Sequence, residues 1–238
     1  ASAQLVYHPD RLTYPVRSVG PKGSGKWERV SWDEALDCIA ERILAYEADF
    51  GAESIVMGYG TGRENEAVIY RFANLLGSPN VLTAGHFCYG PRIATSIITC
   101  GTNPIVDYEN HPRCIMVWGN NLVISNPDCY KGEPFSVSLD KGAKLIAVDP
   151  RLTRIAARAD VWLQLRPGTD AALALGMLNV IVNEELYDRE FVKDHVYGWE
   201  PFVKRVNAYP PEKVEKITWV AKEKIREAAR LFATTQPA

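Results

Sequence analysis

Cys88 stands in the segment Gly85-His86-Phe87-Cys88-Tyr89-Gly90-Pro91-Arg92, just ahead of a helical pattern that runs from about Arg92 to Cys100. A thiol near a helix N-terminus, with a histidine and an arginine close by, has its thiolate form favoured by the helix dipole and by positive charge. A thiolate is a soft metal ligand or a nucleophile. The alternative for a free cysteine is a small buried hydrophobe, the expected reading for Cys38, Cys100, Cys114 and Cys129. No C-x-x-C is present, so neither a zinc ribbon nor a complete iron–sulfur motif lies in the chain. His8, His111 and His195 are scattered and mark no ligand set.

A second group of candidates sits in three loops. They are Gly119-Asn120-Asn121 through Asp128, Asp149-Pro150-Arg151-Leu152-Thr153, and Arg166-Pro167-Gly168-Thr169-Asp170. Asp149 is placed to accept from a ribose hydroxyl, and Arg151 and Arg154 to clamp phosphates in bidentate fashion. Asp149 and Asp170 serve equally well as helix caps, because Asp is a favoured cap residue. The common nucleotide signatures are missing. Gly60-Thr61-Gly62-Arg63-Glu64-Asn65 lacks the third glycine of G-x-G-x-x-G, and no G-x-x-x-x-G-K-[ST] occurs, which disfavours ordinary NAD or ATP binding.

The elements that must hold these loops follow from periodicity. Ser31 and Glu34 form a capping box, and Leu36, Ile39, Ala40, Ile43 and Leu44 recur at helical spacing up to Gly51. A buried strand is expected at Ile55–Met57, followed by the turn Gly58 to Gly62 and a helix from about Glu64 to Leu76 ending at Gly77. Further on, apolar strands at Cys114–Trp118, Lys144–Val148 and Val161–Leu165 alternate with helices near 134–141, 153–159 and 170–183. The last third is helical. Strands buried on both faces and separated by helices imply an α/β fold with a doubly wound, mainly parallel sheet. In such sheets ligands bind outside the carboxyl ends of the strands, where all three candidate loops fall.

Composition excludes several classes. The 238 residues carry 27 Lys and Arg against 29 Asp and Glu, a net charge of −2, with 47% hydrophobic residues. That is an ordinary globular balance without the basic excess a nucleic-acid grip needs. No apolar run approaches the ~18 residues of a membrane span; the longest, around Ala171 to Val182, is broken by Asn179 and reads as a buried helix.

Taken in order, these residues resemble the molybdopterin oxidoreductase family, the dimethyl sulfoxide reductase superfamily, over essentially the whole chain. Tyr7-His8-Pro9-Asp10-Arg11-Leu12 and Trp27-Glu28-Arg29-Val30-Ser31-Trp32-Asp33-Glu34-Ala35 are similar to the stretch after that family's iron–sulfur segment. Cys88-Tyr89-Gly90-Pro91 resembles its metal-ligand loop, and the three loops above, with Trp118 at the head of the first, resemble those around a molybdopterin guanine dinucleotide.

The resemblance implies a molybdenum or tungsten ion held by Cys88 and by two pterin guanine dinucleotides, with His86 and Arg92 steering substrate or protons. It implies Gly119, Asn120 and Asn121 at the pyrophosphate, Asp149, Arg151 and Thr153 at sugar and phosphate, and Gly168, Thr169 and Asp170 at the guanine. The expected domains are 1–82, part of the domain after the iron–sulfur segment, and 83–238, a dinucleotide-binding-like α/β domain with a helical C-terminal part. The chain is expected to be an internal piece, with a [4Fe–4S] cluster only in a segment before Tyr7 and a further domain after Ala238. Its implied partners are the remainder of that parent chain, an iron–sulfur electron-transfer subunit and a small-molecule substrate, in the cytoplasm or the periplasm. The implied activity is two-electron redox chemistry. The alternatives are a redox-neutral hydratase of the same superfamily and a cofactor-free structural domain related to a large subunit of NADH:quinone oxidoreductase.

Overall fold

The computed structural model describes residues 2–60, 64–87, 90–108, 110–125 and 132–238. The chain divides into two compact units, Ala1–Pro104 and Ile105–Ala238. The expected boundary between residues 82 and 83 lies inside the first of them.

The first unit opens with a short helix α1 (Ser2–Val6) and an antiparallel pair, β1 (Val16–Ser18) and β2 (Trp27–Arg29). Helix α2 (Trp32–Phe50) starts on the capping box read from the sequence. The Glu34 N–H donates to Ser31 Oγ at 3.1 Å, and the Ser31 N–H donates to Glu34 Oε2 at 2.8 Å. The helix stops at Gly51, whose φ of 83° a side chain would strain. Its apolar stripe stays uncovered: Leu36, Ile39 and Leu44 are all more than half exposed.

A parallel pair follows, β3 (Met57–Tyr59) and β4 (Val81–Thr83), joined through α3 (Glu66–Leu76). The strand expected at Ile55–Met57 thus begins two residues later. Val56 is exposed, and the Ile55 carbonyl accepts from Ser78 Oγ at 2.6 Å instead of joining the ladder. Helices α4 (Ala84–Phe87) and α5 (Gly90–Cys100) complete the unit. Cys100 at the end of α5 is exposed and Cys38 is half-buried, against the expectation of buried thiols; Cys114 alone among the described cysteines is buried.

The second unit is built on three parallel strands in the order β5 (Cys114–Trp118), β6 (Lys144–Val148), β7 (Val161–Leu163). Helices α6 (Leu122–Ser125) and α7 (Gly132–Asp140) lie between β5 and β6, and α8 (Arg154–Arg158) between β6 and β7. After β7 come α9 (Asp170–Asn183), α10 (Arg189–His195), α11 (Trp199–Asn207), α12 (Pro211–Thr218) and α13 (Lys222–Thr234).

Because side chains alternate along a strand, each strand feeds two cores. Cys114, Ile146, Val148, Val161 and Leu163 pack with Leu173, Met177, Val214, Ile225 and Ala228 of α9, α12 and α13. Ile115, Val117, Leu145 and Ala147 point the other way, onto Leu122, Phe135, Ile155 and Ala156 of α6, α7 and α8. The sheet is therefore parallel and covered by helices on both faces, as its continuous apolar strands require.

Each fully buried Leu or Ile in these cores contributes about 1.5–3 kcal/mol. Helix α9 is the central buried helix expected from its apolar run. Asn179, which breaks that run, is itself buried and donates from Nδ2 to the Val206 carbonyl at 3.2 Å. No described helix is long and apolar enough to cross a membrane.

Candidate functional site

Parallel pairing brings the carboxyl ends of β5, β6 and β7 to one edge. Trp118 is in register with Val148, and Val148 with Leu163. With neighbouring strands ~4.8 Å apart, the three candidate loops start within ~10 Å of one another. Each loop is held by bonds that tie it to another part of the unit.

The first loop turns sharply out of β5. Gly119 has φ 59°, and its N–H donates to the Val148 carbonyl at 2.8 Å, fastening the turn to the neighbouring strand. Asn120 is exposed beside it. The Asn121 carbonyl accepts from the N–H groups of Ile124 and Ser125, at 2.9 and 2.8 Å. Its side-chain Oδ1 is buried and has no hydrogen-bond partner among the described residues. A buried acceptor without a donor costs ~1–3 kcal/mol, so this atom calls for one beyond the described residues. Residues 126–128 of this loop lie outside the described residues.

In the second loop Asp149 is only 6% exposed. Its Oδ1 accepts the Arg151 N–H at 2.8 Å, a local turn bond that fixes the carboxylate, and the Arg151 guanidinium stays largely exposed with Nε 3.7 Å from the same oxygen. Strand β7 buttresses the loop: Trp162 Nε1 donates to the Asp149 carbonyl at 2.9 Å, and Gln164 Nε2 to that of Pro150 at 3.1 Å. Thr153, not Asp149, is the N-cap of α8, accepting the Ala156 N–H at 3.1 Å.

In the third loop the Arg166 N–H donates to the Thr218 carbonyl at 2.8 Å, and Thr169 Oγ1 donates to the Arg166 carbonyl at 2.6 Å. Gly168 takes φ 81° between them. Asp170 is the first residue of α9 and does not cap it; the cap position is Thr169. The Asp170 carboxylate instead accepts the Trp118 indole N–H at 2.7 Å, from the end of β5. So neither aspartate is a helix cap, and the capping alternative is set aside for both. The sequence places Trp118 at the head of the first loop but does not show this bond, although an indole at the end of an apolar strand is a donor in search of an acceptor.

In the first unit, β3 and β4 place their carboxyl ends together, with Tyr59 in register with Thr83. The Tyr59 hydroxyl donates to Glu66 Oε1 at 2.8 Å, and burial with this bond raises its pKa, so it stays protonated. The segment that carries the expected catalytic residues leaves β4. Its histidine is engaged locally: His86 Nδ1 accepts the Thr83 N–H at 3.1 Å, while Thr83 Oγ1 accepts the Gly85 N–H at 3.0 Å. Arg92 Nη2 donates to the Pro104 carbonyl at 3.2 Å. A Cβ on Gly90 would lie 2.3 Å from the Gly85 carbonyl oxygen, an approach only glycine permits. Cys88, the expected metal ligand, and Tyr89 lie outside the described residues.

Among the described residues no three His, Cys, Asp or Glu side chains converge on a metal-sized site. A concavity of about 310 Å³ lined by His111, Arg113, Lys141 and Lys144 opens where β5 and β6 begin, at the edge away from the three loops.

The fold is α/β, a parallel sheet flanked by helices, with the three candidate loops gathered at its carboxyl edge. The chain belongs to the molybdopterin oxidoreductase family, whose model matches residues 11–229. It is 43% identical over 234 residues to acetylene hydratase of Syntrophotalea acetylenica, covering 97% of this chain and 32% of that protein. It is 36% identical over 222 residues to formate dehydrogenase H of Escherichia coli strain K12, covering 90% of this chain and 31% of the relative. Acetylene hydratase from Pelobacter acetylenicus has a similar structure, with a TM-score of 0.73, 41% identity and coverage of 100% of this chain and 33% of that one. The chain thus spans about a third of the length of the curated relatives it matches.

Proposed function

We propose that this chain is part of an enzyme that carries a molybdenum or tungsten ion on molybdopterin guanine dinucleotide and performs two-electron redox chemistry on a small substrate. The observation that carries this reading is the family match over residues 11–229 together with three ligand-type loops on one sheet edge. The described residues fit the nucleotide part of such a group. Asn121 Oδ1 is a buried acceptor with no donor among the described residues, Asp170 offers a carboxylate, and Arg151 an exposed guanidinium.

In this reading Gly119, Asn120 and Asn121 approach the pyrophosphate. Asp149, Arg151 and Thr153 hold sugar and phosphate, and Gly168, Thr169 and Asp170 hold the base. When bound, the metal centre supplies the electron-transfer chemistry, and Cys88 as thiolate is its protein ligand. His86, with Nδ1 engaged by the Thr83 N–H, offers Nε2 for proton transfer, and Arg92 offers charge to an anionic substrate. A [4Fe–4S] cluster in a preceding segment, and an electron-transfer subunit, complete the proposed assembly.

A second reading is favoured by a specific observation, the 43% identity to acetylene hydratase. It keeps the same cofactor and the same Cys88 ligand but adds water to a substrate without net electron transfer. One experiment separates the two: turnover by the full-length protein with and without an external electron donor or acceptor. Redox catalysis stops without one; hydration does not depend on it. Full-length protein purified with neither molybdenum nor tungsten would rule out both.

A further inference from the structure

We infer that the concavity where β5 and β6 begin is a binding site for a small phosphate-type oxyanion, free or carried on a small organic molecule, with Arg113 and Lys141 as its cationic contacts. The carrying observation is a cavity of about 310 Å³ lined by His111, Arg113, Lys141 and Lys144, with no Asp or Glu among the described residues that line it. The inference does not depend on the reading of the three loops at the opposite edge.

The positive charge here is not balanced from within. Lys144 is the one lining cation with an acidic partner, its Nζ 2.8 Å from Asp160 Oδ1. Asp140, next to Lys141 in sequence, faces Arg158 instead, with its Oδ1 4.0 Å from Nη2. Arg113 and Lys141 form no ion pair with a described residue. Lys141 directly follows α7, where the helix dipole favours a cation. That accounts for Lys141 alone. It gives no reason for an arginine and an imidazole to line the same hollow, whereas an anion held between them does.

The backbone fixes where these side chains start. The Arg113 N–H donates to the Pro237 carbonyl at 2.8 Å, and the Arg113 carbonyl accepts the Lys144 N–H at 2.8 Å. The Lys141 N–H donates to the Val137 carbonyl at 3.1 Å, and Lys141 Nζ stands 3.2 Å from both ring nitrogens of His111. An ammonium has three N–H donors, so one spent on a neutral imidazole leaves two for a ligand. His111 has φ 50°, a left-handed conformation that a non-glycine residue keeps only where its surroundings hold it, and one that gathers at ligand sites. A guanidinium fork matches two oxygens of a tetrahedral oxyanion, and an ammonium beside it serves a third as a point charge. The volume sits at the small end of the ~300–1,000 Å³ typical of small-molecule sites, which leaves room for a short organic group beside the anion.

The test uses the full-length protein, titrated calorimetrically with inorganic phosphate and with glycerol phosphate, each against chloride at matched ionic strength. Saturable binding of the oxyanions and none of chloride is expected. Arg113→Gln and Lys141→Gln should each weaken the oxyanion by roughly tenfold, and the double variant should abolish binding. Arg113→Lys, which keeps the charge and loses the fork, should fall between Arg113→Gln and wild type. Lys193→Gln, which removes an exposed cation on α10, should change nothing. Circular dichroism spectra matching wild type establish that each variant is folded.

Glycerol phosphate bound more tightly than inorganic phosphate assigns the site to an organic phosphate; the reverse order assigns it to the free ion. No saturable binding of either by wild type overturns the inference. So does wild-type affinity in the Arg113→Gln, Lys141→Gln double variant, or a loss in Lys193→Gln as large as theirs, which would show only diffuse attraction to a charged surface.

Discussion

Asp160 and Lys144 join the turn before β7 to the first residue of β6: Lys144 Nζ lies 2.8 Å from Asp160 Oδ1, and Asp160 Oδ2 accepts the Leu145 N–H at 2.8 Å. The partial burial of Asp160 pushes its pKa up, but the Lys144 and Leu145 bonds outweigh it and hold the carboxyl below its ordinary value of 3.8. Lys144 is raised above its ordinary 10.5 by the same bond. The contribution of Asp160 is therefore complete above its unfolded pKa and is lost as pH falls through the lower folded one. That of Lys144 is complete below 10.5 and is lost as pH rises through its raised value. Between these limits the pair is intact. Asp160→Ala is expected to destabilise this corner by about 1–3 kcal/mol, mainly by orphaning the Leu145 N–H. Hydrogen exchange of the peptide containing residues 144–148 checks this; exchange should speed up in the variant, and in wild type as pH falls below about 4 after correction for intrinsic rates.

Gly176 in α9 lies close against Val214 of α12. A Cβ there would stand 2.9 Å from both methyl carbons of Val214, which is fully buried. Gly176→Ala is expected to lower stability by about 1–3 kcal/mol despite the better helix propensity of Ala. Val214→Ala should relieve the clash, so that the double variant is more stable than the sum of the two single changes predicts. Denaturant midpoints of the four proteins test this.

Cys114 is fully buried, and burial with the nearby Asp160 charge pushes its thiol up to about 11. Thiolate is the reactive form, so at pH 8 native Cys114 should resist alkylation and react only in denaturant. Mass spectrometry of iodoacetamide-treated protein, native and in urea, makes the comparison. Native labelling of Cys114 at the rate of a denatured thiol would contradict the buried placement of β5.

What the sequence made legible was local. The Ser31–Glu34 capping box spans one helical turn, and the apolar runs of β5 and β6 carry their own strand signal, so both elements lie where expected. The loops Asp149–Thr153 and Arg166–Asp170 were readable because each immediately follows a strand of a parallel sheet. The engagements of their side chains were not readable, since the partner of Asp170 is 52 residues away on β5. His86 is a similar case: its partner is the backbone N–H of Thr83, which no side-chain pattern announces. The β1–β2 pair escaped notice because its strands have only three residues each and bury none of them, leaving no alternation to detect.

The most direct test of the account is elemental and pterin analysis of the full-length protein purified without oxygen, beside its Cys88→Ala variant. Molybdenum or tungsten near one atom per chain, with pterin released on denaturation, is the expected result for wild type. In the folded variant the metal should be depleted or the turnover lost. Wild-type protein that folds and contains neither metal nor pterin would contradict the account; a variant with full metal content and undiminished turnover would remove Cys88 from it.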